Sequence, residues 1–251
     1  MMLDQVRNLS HQMRLFGIHQ SCERRAAEAL AHQLHPLEFL RLVLEEELLA
    51  RQDRTAKILM TKARFRFRAD LEDIDFTFHK DLTKAKVKEL SELSFLHNLE
   101  NLLIVGKTGV GKTFLATALG KRLCQDGHPT VFLSANFLFE EIQAAKAAGR
   151  YLNYVRSLIK AKVLILDDLG LRNYTHDEAT SLIDILEERY HKAPLIVTSQ
   201  VEPQGWLKLF EDPVIGEAIV DRLIHPCQKI TLKGDKSYRE KIAEKKTSLK
   251  N

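Results

Sequence analysis

Cysteine is scarce in this chain: Cys22, Cys124 and Cys227 stand far apart and form no Cys-x-x-Cys pair. That usage excludes a disulfide framework and a thiolate metal knuckle, and with no secretory leader in Met1 to Arg7 it points to reduced thiols in cytoplasm. No segment approaches about 18 consecutive apolar residues, so a membrane span is excluded. Glycine and proline are almost missing from the front, where residues 1 to about 68 contain only Gly17 and Pro36. Nothing there interrupts a helix, and Leu37, Leu40, Leu44 and Leu48 recur at helical spacing. Charge of one sign is also lacking, since the formal net charge is only +4; partners must be read from how the charge is distributed. His32 and His35 stand at helical spacing with no cysteine or clustered carboxylate beside them, which argues against a zinc site.

Asp70-Leu71-Glu72-Asp73-Ile74-Asp75-Phe76 is an abrupt acidic change, and a domain boundary is expected near residue 70. Residues 1–70 then form a small helical domain, and residues 71–251 a larger one. From about residue 83 short apolar runs alternate with helical stretches: Leu102 to Val105, Thr130 to Leu133, Val163 to Leu166, Leu195 to Thr198, and Ile230 to Leu232. This alternation predicts an α/β fold with a five-stranded parallel sheet flanked by helices. About 19 residues follow the last run, too few for a separate helical lid.

Gly106-Lys107-Thr108-Gly109-Val110-Gly111-Lys112-Thr113 follows the first apolar run and opens a helical pattern at Phe114. Glycines at these positions let consecutive backbone N–H groups turn toward a polyphosphate without Cβ obstruction, and the helix adds its dipole. Lys112 can reach the β- and γ-phosphates, and the Thr113 hydroxyl can complete the shell of a Mg²⁺ ion. The pattern therefore predicts ATP and Mg²⁺ as ligands. The alternative, an ordinary glycine-rich turn, needs strand before and helix after by coincidence.

Val163 to Leu166 ends in Asp167-Asp168. Beside a phosphate loop, Asp167 can bind Mg²⁺ and Asp168 can orient or deprotonate the attacking water; alone, such a pair is a turn or helix cap. Thr198-Ser199-Gln200 ends the next run, and Thr198 or Gln200 would sit beside the γ-phosphate if that strand neighbours the loop strand. The alternative is a solvated strand end. Arg222, in Asp221-Arg222-Leu223, is too remote to place by spacing, and a surface salt bridge is its plain reading.

Two segments concentrate positive charge. Residues 51–68 hold seven cations, Arg51, Arg54, Lys57, Lys62, Arg64, Arg66 and Arg68, against the single acid Asp53. Arg64, Arg66 and Arg68 alternate with Phe65 and Phe67, so an extended segment would present the three cations on one side. Residues 144–162 hold Lys146, Arg150, Arg156, Lys160 and Lys162 with no acid, interleaved with Tyr151 and Tyr154. Each is a solvated face or a nucleic-acid surface; with no base-reading motif, the latter would contact backbone and shape and weaken with salt.

In this order, phosphate loop, Asp-Asp strand end, polar strand tip and late Asp-Arg-Leu look like the AAA+ superfamily. Leu71 to Phe76, Asn101 to Gly106, Leu166-Asp167-Asp168-Leu169-Gly170, Val197-Thr198-Ser199 and Gly234-Asp235-Lys236-Ser237-Tyr238-Arg239 resemble the IstB family, ATP-dependent helpers of insertion-sequence transposases. The resemblance covers nearly the full length. It implies an ATPase that is stimulated by DNA and assembles on duplex DNA as a ring or helical filament for a cognate transposase in a bacterial cytoplasm, at the nucleoid when on DNA. It also implies that Arg222 is an arginine finger donated to a neighbour's γ-phosphate, and that residues 144–162 line the inside of the assembly and meet DNA. Two departures stand out: Gln200 replaces the usual asparagine, and Asp168 replaces the glutamate of the wider superfamily, which suggests slow turnover. Arg239 is a candidate substitute for the second sensor that a lid would carry. The alternatives are a DnaC-type loader of replicative helicases and, from another class, a small-molecule kinase.

Overall fold

The computed structural model describes residues 2–79, 82–234 and 237–238. Three helices open the chain, α1 (Met2–Gln12), α2 (Phe16–His32) and α3 (Pro36–Ala63). Pro36 starts α3 where its missing N–H costs nothing. The chain divides into two compact units, one of Met1–Ile58 with Gln125–Gly127 and one of Leu59–Cys124 with His128–Asn251. The division falls within α3, ahead of the acidic change near residue 70.

In the first unit Ile18, Cys22 and Val43 form a small core with Leu3, Leu15 and Phe39 packed on it. Glu47 of α3 is buried and accepts the backbone N–H groups of Gly17 and Ile18 at 2.7 and 3.3 Å. Those are orphan donors of the first turn of α2, whose dipole favours a carboxylate. Leu37, Leu40, Leu44 and Leu48, whose spacing announced the helix, are 50–69% exposed.

The second unit continues through an irregular segment and the short helices α4 (Lys84–Ser91) and α5 (Ser94–His97). Then follow β1 (Asn101–Gly106), α6 (Lys112–Gln125), β2 (Thr130–Ser134), α7 (Ala135–Ala147), α8 (Tyr151–Lys160) and β3 (Val163–Leu169). The series ends with α9 (His176–Arg189), β4 (Leu195–Ser199), α10 (Pro203–Trp206), α11 (Pro213–Ile224) and β5 (Cys227–Leu232). The sheet has five parallel strands in the order β2-β3-β4-β1-β5, and each strand contains the apolar run expected of it.

Side chains alternate across the sheet. Leu103, Val105, Leu164, Leu166 and Val197 face a core shared with α7, α8, α9 and α11. Leu102, Ile104, Val163, Ile165 and Ile196 face one shared with α6 and the segment before β1. Burial on both faces explains why these strands read as unbroken apolar runs. The order also sets β4 between β1 and β3, so the carboxyl ends of all three strands converge.

Candidate functional site

The phosphate loop joins the end of β1 to α6. Gly109 and Gly111 adopt φ of +80° and +89°, a region that residues with a Cβ avoid. Lys112 is buried, and its Nζ donates to the Lys107 carbonyl at 2.9 Å. Burial pushes its ammonium below the ordinary value, against the opposing charges of Asp168 and Asp167.

At the end of β3 the pairing with β4 shifts register between Leu166 and Leu169, and Asp168 is held at φ +58°. A left-handed aspartate in a bulged strand is a strained arrangement of the kind found at functional sites. The fully buried Thr198 of β4 stabilises it: its Oγ1 accepts the Asp168 N–H at 2.9 Å and donates to Asp167 Oδ1 at 2.7 Å. Asp167 is also fully buried, and its Oδ2 has no hydrogen-bond partner. Burial pushes the Asp167 carboxyl up and the Asp168 charge adds to this; Thr198, Thr113 and Arg66 pull it down.

These groups surround a cavity of about 540 Å³, in the range of small-ligand sites. Its walls include Thr108, Gly109, Gly111, Lys112, Thr113 and Phe114 of the loop and helix, together with Asp168 and Gln200. Gln200 is exposed, and its Oε1 accepts the Thr108 hydroxyl at 2.6 Å. Of the two residues considered at the β4 tip, Gln200 faces the cavity and Thr198 lies behind the carboxylates. Gly106, Lys107 and Val110 shape the loop from outside the cavity lining, with Val110 in the core.

The cavity has walls that spacing alone did not supply. Arg66, Phe67 and Tyr238 line it; the Tyr238 N–H donates to the Gly109 carbonyl at 2.9 Å, and its ring meets that of Phe78 at 5.0 Å. Arg66 had been grouped with Arg64 and Arg68 as one cationic side. The structure separates them: Arg64 pairs with Glu141 at 3.0 Å, Arg66 faces the cavity, and Arg68 is exposed. Alternation with Phe65 and Phe67 was the available signal, because anchored aromatics aim the arginines between them.

The remaining candidates lie elsewhere. Arg222 donates to Glu187 Oε1 at 2.9 Å and to the Ala218 carbonyl at 3.0 Å, away from this cavity. Arg54 lies over the Phe16 ring at 4.6 Å, Lys57 pairs with Asp53 at 2.7 Å, and Lys62 is exposed. Lys146 is bonded to Asp177 at 2.5 Å, whereas Arg150, Arg156 and Lys160 are exposed around α8. Arg239 lies outside the described residues.

A phosphate loop leaving β1, with paired carboxylates two strands away at the end of β3, defines a P-loop ATP-binding core of the AAA+ class. The sequence model of the IstB-like ATP binding protein family matches residues 8–246, and the chain belongs to that family. It is 35% identical over 87% of its length to a Pseudomonas aeruginosa protein named as an ATP-binding protein of insertion sequence IS21, covering 82% of that protein. A Geobacillus stearothermophilus protein named likewise for insertion sequence IS5376 is 30% identical, with 95% of this chain and 94% of that one aligned. In fold, the chain is similar to the crystal structure of DnaI, with a TM-score of 0.55 and 23% identity over 66% of this chain and 89% of that one.

Proposed function

We propose that this chain is an ATP-hydrolysing regulator of transposition. With ATP it oligomerises on duplex DNA as a ring or helical filament, selects or remodels target DNA for a cognate transposase, and is reset by hydrolysis. The observation that carries the hydrolytic part is Asp168, held left-handed at the cavity wall by a threonine that also bonds Asp167. In this reading Lys112 exchanges the Lys107 carbonyl for β- and γ-phosphate oxygens, and Asp168 orients or deprotonates the water that attacks the γ-phosphorus in line.

The residues fit a Mg²⁺ ion. Asp167 Oδ2 is a buried oxygen without a hydrogen-bond partner, and the Thr113 side chain is close enough to lower the Asp167 pKa. Among the described residues no group of three or more His, Cys, Asp or Glu could hold a metal, which suits a cation shared with phosphates and water. Asp167 and Thr113 would hold it, and when bound it would neutralise charge between the β- and γ-phosphates.

The names of the relatives, which tie them to insertion sequences, support the transposase as partner. Exposed Arg150, Arg156 and Lys160, which form no ion pair among the described residues, support residues 144–162 as the leading DNA surface, with Arg54, Lys57, Lys62, Arg64 and Arg68 as a second cationic segment. No helix of the described residues is long and apolar enough to cross a membrane; the proposed place of work is the cytoplasm, on nucleoid DNA.

The test is sizing and ATPase assay of the purified protein with ATP and duplex DNA. Larger species and faster hydrolysis are expected, both weakening with salt. No larger species, or an ATPase indifferent to DNA, would refute the proposal; a preference for single strands at fixed salt would favour the helicase-loader alternative.

A further inference from the structure

The segment that leaves α3 ends at the nucleotide cavity, and its aromatic residues fix where its arginines go. Phe65 packs on the core beneath the sheet and meets the Phe132 ring edge-on at 6.0 Å. Phe67 stacks with Phe114, with centroids 6.5 Å apart and ring planes inclined by 20°. Asp70 is bonded to Lys121 of α6. Anchored at these points, the segment presents Arg66 to the same cavity as Lys112, Thr113 and Asp168.

Arg66 forms no hydrogen bond or ion pair among the described residues, unlike Arg64, which Glu141 holds. Its charge nonetheless reaches Asp167, whose carboxyl it pulls down. A guanidinium without a partner among the described residues, at the carboxylate side of the cavity, has its five donors available for a phosphate fork.

We propose that Arg66 binds the terminal phosphate of ATP from within the same chain and so distinguishes ATP from ADP. This rests on the ATP-site reading of the cavity. The segment follows α3 directly in the chain, so loss of the γ-phosphate on hydrolysis releases a ligand borne next to the helical front end. Arg66 is then a nucleotide contact and not one of the DNA-contacting cations.

The experiment titrates full-length protein with fluorescent ATP and ADP analogues in Mg²⁺, comparing wild type with Arg66→Gln and Arg66→Lys, and measures duplex-DNA affinity in saturating ATP. Arg66→Gln is expected to weaken ATP binding by about tenfold or more, as loss of a charge-assisted bond does. ADP and DNA affinities should stay within about twofold of wild type, the melting temperature should be unchanged, and Arg66→Lys should recover part of the ATP affinity. ATP affinity unchanged in Arg66→Gln, an equal loss for ATP and ADP, or a loss confined to DNA overturns the proposal. Wild type that binds neither nucleotide would remove the ATP-site reading itself, a result distinct from any of these.

Discussion

Thr198 is the residue on which both carboxylates depend. One hydroxyl accepts from the Asp168 backbone and donates to Asp167, so a single small group orients the Asp167 carboxylate and holds the strained turn of Asp168. Thr198→Val preserves shape and removes both bonds. It leaves Asp167 fully buried without its best donor, and it leaves a left-handed Asp168 without its support. On the proposed roles of Asp167 and Asp168, turnover should fall by about a hundredfold while ATP affinity changes by less than about threefold, because the lost bonds would position those carboxylates and not hold the nucleotide. Thr198→Ser should recover most of the rate; steady-state kinetics beside an equilibrium titration separates these outcomes. Lys112→Ala should do the opposite, losing nucleotide binding by about a hundredfold, if its buried ammonium meets the phosphates as proposed. An Ala variant that kept ATP affinity would place the phosphates elsewhere.

Among the elements, the packing of α2 on α3 turns on another buried acid. Glu47 accepts two N–H groups at the start of α2 and the Nε of Arg51 at 2.7 Å. Burial alone would raise its pKa, but Arg51 and the two backbone donors outweigh it and hold the carboxyl below its ordinary value of 4.5. A depressed carboxyl stabilises the fold above its unfolded pKa, and that contribution disappears as pH falls through the lower folded value. Glu47→Gln should therefore cost about 1–3 kcal/mol at neutral pH, and the difference from wild type should vanish well below pH 4.5. Helical circular dichroism of the full chain on acid titration checks this; a constant difference at all pH values would show that charge is not involved. No sequence signal marked Glu47, which stands in a run with Glu45 and Glu46. Helical spacing disclosed α3 but not which face is covered, and its leucine stripe is exposed. The strands were legible because parallel strands are apolar on both faces. The bulge at Asp168 was not, because it depends on a threonine 30 residues away in another strand. That Arg66 lines the cavity while Arg64 pairs with Glu141 was not legible either, because a cation facing a cavity looks the same in sequence as one facing outward.

For the whole molecule, the position of Arg222 bears on the proposal that hydrolysis is shared between chains. The Asn101 side-chain amide donates to the Arg222 carbonyl at 2.9 Å, which ties Arg222 to the start of β1, whereas the phosphate loop leaves its end. With a rise of about 3.3 Å per residue, those ends are roughly 16 Å apart. The Arg222 guanidinium is instead paired with Glu187 of α9 at 2.9 Å. An arginine so placed is remote from its own chain's phosphate loop, which supports the proposal that it would serve a neighbouring copy through a head-to-tail interface. Arg222→Ala and Asp168→Asn should each bind ATP and each lack turnover, for different reasons. Mixed, they can form a competent interface only where an Arg222→Ala chain supplies the carboxylate and an Asp168→Asn chain supplies the arginine. Random assembly from equal amounts makes about a quarter of the interfaces competent, so ATPase should recover to about that fraction of wild type and decline toward either pure variant. Activity that stayed at the sum of the two variants at every ratio would mean that Arg222 only braces α11 against α9, and that each chain hydrolyses ATP without a neighbour's arginine.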